Sequence, residues 1–207
     1  MPKKTFFNLP KEKKESLIQA AMKEFSRVPL SEASISNIIN DAGIPRGSFY
    51  QYFEDKEDIF FFLLDDEFKR SSEKFMSIIA ENNGDLFDSF IVFFRYLITD
   101  PYSHEKRKFF RNIFLNMNYK VENAMSRNMI KENNLNRYSE IVSLINKEKL
   151  NVANEREMNH VMKIMVGVMR RNIIEKFAND LSCDEAVENY TFEIALLKKG
   201  LYKEIDK

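Results

Sequence analysis

Arg46 and Gln51 stand in one polar-aromatic string, Arg46-Gly-Ser-Phe-Tyr-Gln51-Tyr-Phe, whose residue types suit the edges of bases and the oxygens of phosphates. A guanidinium such as that of Arg46 can bond guanine O6 and N7 together, worth about 1 to 3 kcal/mol of discrimination, and the amide of Gln51 has the matching geometry for adenine. Ser48 and Tyr50 carry hydroxyls that can donate to phosphate oxygens, Gly47 lets a backbone approach closely, and Lys56 brings a charge to the same strand. Lys3, Lys4, Lys11, Lys13 and Lys14 add a basic N-terminal edge for sequence-independent attraction. The chemistry these residues suit is recognition of duplex DNA.

Catalytic chemistry has no comparable support. No carboxylate pair, Ser/His/Asp set, Cys/His set or phosphate-cradling glycine loop is present, so neither an enzyme nor a cofactor is expected. The two histidines, His104 and His160, have no second histidine or cysteine at metal spacing, and no metal is expected. Cys183 is the single cysteine and cannot form an internal disulfide. The acidic run Asp65-Asp66-Glu67 reads as a solvated helix face.

For the polar string to meet DNA it must lie on a short helix held across a tight turn from another. Leu17, Ile18, Ala21, Met22 and Phe25 recur at helical spacing between Lys11 and Arg27, and Pro29 ends that helix. Ser34 stands before Ile35, Ile38 and Ile39, where its hydroxyl is expected to cap a second helix that stops at Gly43. Pro45 pre-sets a third start, and Phe49 and Phe53 share one of its faces. Ile35, Ile38, Ile39, Ile44, Phe49 and Phe53 would form the small core, leaving Ser36, Arg46, Ser48, Tyr50, Gln51 and Tyr52 to face outward. Residues 34–53 therefore read as a helix-turn-helix.

The rest of the chain reads as longer helices, at about 56–80, 85–99, 103–117, 120–148, 154–179 and 183–205. Asn82-Asn83-Gly84, Asp100-Pro101 and Leu150-Asn151 are the breaks, and Ser182-Cys-Asp-Glu185 reads as a capping box. Five Gly, five Pro and no Trp among 207 residues, 44% of them hydrophobic, favour an all-α fold. The 32 basic and 32 acidic residues balance, so only a local basic surface can attract nucleic acid. No apolar run approaches the ~20 residues of a membrane span, and no signal-peptide order opens the chain; the cytoplasm is the expected compartment.

This arrangement resembles the TetR family of bacterial regulators over residues 10–64. The resemblance is carried by Ala20-Ala21, Phe25, Ser34-Ile-Ser-Asn-Ile38, Ala42-Gly43, the string Arg46 to Phe53, and Lys56. Pro29 departs from it, because the family usually has glycine after the first helix. The resemblance implies that Ser34, Ser48, Tyr50, Tyr52 and Lys56 hold the DNA backbone while Ser36, Arg46 and Gln51 face the bases. It implies a DNA-binding domain at 1–55 and a helical regulatory and dimerisation domain at 56–207. The last two helices would form the homodimer interface, and an inducer cavity would accept a small hydrophobic or aromatic effector. Phe93, Phe94, Phe109, Phe110, Phe114, Met117, Met162, Met165 and Met169 are candidates to line it, although helical spacing produces ordinary core more often than a ligand box. The function implied is a ligand-responsive repressor on a palindromic operator; the alternative is a DNA-binding protein of the same fold without an inducer.

Overall fold

The computed structural model describes residues 2–99, 104–117, 119, 121–122 and 132–201, and its regular elements are helices. They are α1 (Lys4–Phe7), α2 (Lys11–Arg27), α3 (Ile35–Ala42), α4 (Arg46–Tyr52), α5 (Lys56–Glu81), α6 (Leu86–Thr99), α7 (His104–Leu115), α8 (Glu132–Leu144), α9 (Glu155–Ala178) and α10 (Cys183–Leu201). One 3-10 turn, Lys147–Lys149, precedes α9. None of the described helices is long and apolar enough to cross a membrane.

The helices gather into two compact units: Met1–Arg70 with Tyr102–Asn128, and Ser71–Pro101 with Met129–Lys207. In the first, α2 packs against α3 and α7. Its apolar stripe, Leu17, Ala20, Ala21 and Phe25, is buried, and the Phe25 ring lies 5.1 Å from Phe60. The last carbonyls of α2 lack intrahelical donors. Asn112 on α7 supplies them, its Nδ2 donating to Phe25 O and Ser26 O at 3.0 Å each. That tertiary cap, with extended Val28 ahead of Pro29, ends α2 at Arg27.

The expected acidic face at residues 65–67 is split. Asp66 is exposed and Asp65 half-buried, but Glu67 is only 4% exposed. It shares the inward face of α5 with Leu63 and Leu64, four and three residues earlier, and pairs with Lys106 Nζ at 2.7 Å.

In the second unit α6 packs against α10 and α9, and the ring of Phe94 stacks on Tyr190 with centroids 4.3 Å apart. The turn at Asn82–Gly84 takes left-handed backbone at Asn83 (φ 51) and Gly84 (φ 76). Gly84 O accepts from Asn146 N at 2.9 Å, and a Cβ on Gly84 would stand 2.7 Å from that nitrogen, so glycine is required by close approach as well as by φ. This docking fixes Asn146, whose side chain also accepts from Glu148 N at 3.1 Å. The helix expected to run to residue 148 accordingly stops at Leu144, while residues 123–131 lie outside the described residues. The capping box that opens α10 is complete: Ser182 N donates to Glu185 Oε2 at 2.9 Å and Glu185 N to Ser182 Oγ at 3.1 Å. That helix is described to Leu201, and its expected extension to 205 lies outside the described residues.

Candidate nucleic-acid interface

Helix α3 ends on Gly43, whose φ of 66 and ψ of 32 are left-handed. Ile44 N then donates back to Ile39 O at 3.1 Å, closing the turn. Pro45 follows as the N-cap of α4. Phe49 and Phe53 are fully buried with ring centroids 5.9 Å apart, Ile38 and Ile39 are buried, and Ile35 and Ile44 pack against this cluster half-buried. The expected small core is therefore in place, and it turns the other side of α4 outward.

On that outer side Ser36, Arg46 and Tyr50 come together. Arg46 Nη1 lies 3.4 Å from Ser36 Oγ and Nη2 lies 3.5 Å from Tyr50 Oη, and its guanidinium carbon is 6.0 Å from the Tyr50 ring centre. These are contacts at the long limit of hydrogen bonding, which hold the guanidinium loosely. Gly47 and Gln51 are exposed beside them; Ser34, Ser48 and Tyr52 are half-buried, Tyr52 against the core cluster.

Ser34 departs from its expected local role, since its side chain makes no cap hydrogen bond to α3. The start of α3 is held instead by Glu24 of α2. Glu24 Oε1 accepts from Ser34 N at 2.8 Å and Asn37 Nδ2 at 3.0 Å, and both carboxylate oxygens accept from Arg27. Burial pushes the Glu24 carboxyl up, but the bonds from Arg27, the Ser34 amide and Asn37, with the Arg27 charge, outweigh it and hold the pKa below the ordinary value. Sequence reading missed Glu24. The available signal was its place on the apolar stripe of α2, three residues after Ala21 and beside Phe25, where a charge needs a partner.

Lys56, at the start of α5, directs its ammonium to Ser31 O at 2.8 Å and Ala33 O at 2.9 Å, pinning the loop that leads into α3. Of the N-terminal lysines, Lys3 Nζ donates to Tyr50 O at 2.7 Å, Lys14 Nζ to Phe7 O at 2.6 Å, and Lys11 pairs with Glu15 at 3.7 Å.

The effector candidates are divided between the two units. Phe109, Phe110, Phe114 and Met117 belong to the first, where Phe109 is fully buried and Phe110 and Met117 pack half-buried on the core cluster. Phe93, Phe94, Met162 and Met165 are buried in the second, and Met169 is half-buried there. A surface hollow of about 470 Å³ in the second unit is lined by Arg95, Asp184, Val187, Glu188, Thr191 and Phe192, none of them a candidate. His160 is exposed on α9, Cys183 is half-buried with Sγ 3.6 Å from Ile98 O, and the His104 side chain lies outside the described residues.

A short helix carrying an exposed arginine, set across a left-handed glycine turn from a second helix in an all-α chain, defines a helix-turn-helix DNA-binding regulator. Residues 17–62 match the family described as bacterial regulatory proteins, tetR family, and residues 85–201, more than half the chain, match the tetracyclin repressor-like C-terminal domain. The chain belongs to the TetR family, whose members are DNA-binding regulators and not enzymes. A Bacillus subtilis (strain 168) protein described as the uncharacterized HTH-type transcriptional regulator YdgC is 38% identical over 71 residues. That match covers 34% of this chain and 36% of the relative's length. Among solved structures, Escherichia coli NemR in its reduced form superposes with a TM-score of 0.61 at 14% identity, over 92% of this chain and 97% of that one. A TetR-family regulator from Streptomyces coelicolor gives 0.60 at 18% identity, over 91% and 81%. At these identities the likeness is one of fold.

Proposed function

We propose that the chain is a ligand-responsive repressor that binds a palindromic operator as a homodimer and leaves it when a small hydrophobic or aromatic effector binds. The observation that carries the reading is the exposed cluster of Arg46, Ser36 and Tyr50 at the start of α4, held loosely enough to exchange its internal contacts for contacts to DNA. In this reading Arg46 and Gln51 read bases with Ser36 beside them. Gly47 admits the backbone, and Ser34, Ser48, Tyr50 and Tyr52 bind phosphates. Lys56 has three N–H donors and uses two on the 31–33 loop, which leaves one for a phosphate. Residues 1–55 do the reading and 56–207 the regulation and pairing, in the cytoplasm where the operator lies.

Pairing through α9 and α10 is supported by their exposed apolar side chains: Ile164 on α9, and Phe192 and Leu196 four residues apart on α10, the phenylalanine 67% exposed. An apolar effector is supported by relatives of the same fold: FadR from Bacillus subtilis was solved in complex with stearoyl-CoA, and SmeT is the repressor of the Stenotrophomonas maltophilia multidrug efflux pump SmeDEF. Within the second unit the half-buried Met169 is the residue we assign to meet it. Phe93, Phe94, Met162 and Met165 are buried in the same unit. An effector that binds better to a dimer with another spacing of its α4 helices removes it from DNA by no more than its differential affinity.

Selection of bound fragments from genomic DNA by the full-length protein tests the proposal. The expected result is an inverted repeat whose half-sites lie about one helical turn apart or a multiple of it. Enrichment without symmetry, or no enrichment at all, would overturn it.

A further inference from the structure

We propose that residues Lys3 to Phe7 are a clamp on the C-terminal end of the reading helix, which makes Lys3, Thr5 and Phe6 positioning residues for DNA recognition; the inference rests on the reading role of α4. A helix of seven residues satisfies few of its own carbonyls. In α4 the last carbonyl with a partner in the helix's own continuation is Phe49 O, bonded by Phe53 N at 2.9 Å. The three that follow, on Tyr50, Gln51 and Tyr52, are all taken from the far N-terminal segment. Lys3 Nζ donates to Tyr50 O at 2.7 Å, Thr5 Oγ1 donates to Gln51 O, and Lys3 N donates to Tyr52 O at 2.8 Å.

The clamp is itself anchored. Phe6 is 3% exposed, and its ring lies 4.9 Å from Phe53 and 5.3 Å from Phe62. At its other end Lys14 Nζ holds Phe7 O at 2.6 Å, tying the segment to α2. A two-turn helix is marginal by itself, and the N-cap Pro45 of α4 offers no side-chain bond, so the satisfied C-terminal end adds to the buried Phe49 in fixing its direction. The Lys3 ammonium also meets the negative end of the helix dipole. One of its three N–H donors is thereby committed to a helix carbonyl, a role beyond that of a basic edge.

Hydrogen exchange and DNA binding by full-length Lys3→Met, Thr5→Val and Lys3→Arg test this. Loss of one clamp bond should speed exchange of the α4 amides about fivefold in Lys3→Met and Thr5→Val. Exchange in α2 and α10 should stay unchanged, and Lys3→Arg, which keeps a donor, should stay near wild type. On a selected operator Lys3→Met and the uncharged change Thr5→Val should both bind more weakly than wild type, with Lys3→Arg near it. Unchanged α4 exchange in both variants, or operator binding by Thr5→Val equal to wild type, would overturn the clamp. If wild type itself binds no duplex, the reading role of α4 falls, while the exchange arm still decides the clamp.

Discussion

Replacing Glu24 with alanine removes the acceptor that holds the start of α3 and should destabilise the DNA-binding helices without touching an outward-facing residue. Four bonds are lost: Arg27 Nη2 and Ser34 N to Oε1, each at 2.8 Å, and Asn37 Nδ2 to Oε1 and Arg27 Nε to Oε2, each at 3.0 Å. They are unequal. The Arg27 side chain is 56% exposed and Asn37 is exposed, so water replaces their partner at little cost. The Ser34 amide is half-buried and faces a carboxylate whose residue is 4% exposed, and leaving such a donor without an acceptor costs about 1 to 3 kcal/mol. Glu24→Ala should therefore lower stability by about 1 to 3 kcal/mol, and Glu24→Gln, which keeps an acceptor for the amide, by less than half as much. Urea denaturation of the full-length variants measures both. Equal losses for Ala and Gln would refute the reasoning, because the ion pair with Arg27 and not the Ser34 amide would then dominate. The pH dependence follows from the lowered carboxyl pKa. Stability from the Glu24 carboxylate is fully present above the ordinary value of 4.5 and fades as pH falls through the lower folded value. Acidification through that range should cost wild type more than Glu24→Gln.

Arg46→Ala should change stability by less than about 0.5 kcal/mol, since its contacts are long, yet weaken operator binding by about 1 to 3 kcal/mol per half-site. An equal loss on operator and random DNA in a titration would contradict a base-reading role. Gly43→Ala should destabilise by about 1 kcal/mol because its φ of 66 disfavours a side chain. Gly47→Ala meets no atom within 4 Å and should stabilise α4 by about 0.5 to 1 kcal/mol while weakening DNA binding; thermal melts paired with DNA titrations separate the two signs. Phe192→Glu combined with Leu196→Glu should yield monomers in sedimentation, and a persistent dimer would exclude pairing through that face of α10.

Local signals were legible in the sequence. The spacing of Leu17, Ala21 and Phe25 with Pro29 predicted α2 from Lys11 to Arg27, as found, and the Ser182–Glu185 box and the Asn82–Gly84 turn are both present. The positive φ at Gly43 was equally readable, because a helix stop at glycine is a property of a few neighbouring residues. What escaped depends on contacts across tens of residues. Helix α1 has four residues and little propensity to form, and it is held by Phe6 packing on Phe53 and by Lys3 bonding to α4. Ser34 has the residue type of a cap, but its side chain makes no cap bond, and its amide is held by Glu24 ten residues upstream. Lys56 reads as a surface charge until the 31–33 loop is folded beneath it.

The hydrogen bonds from Lys3 and Thr5 to α4 bear on how such regulators are recombined. Grafting the stretch 17–62 that matches the family's N-terminal domain onto another regulatory body would transplant both helices of the motif and their glycine turn. It would leave behind the donors for three consecutive carbonyls and the phenylalanine ring against Phe53. Under the clamp proposed above, a chimera that begins at Lys3 should keep the operator preference that one beginning at Leu17 loses.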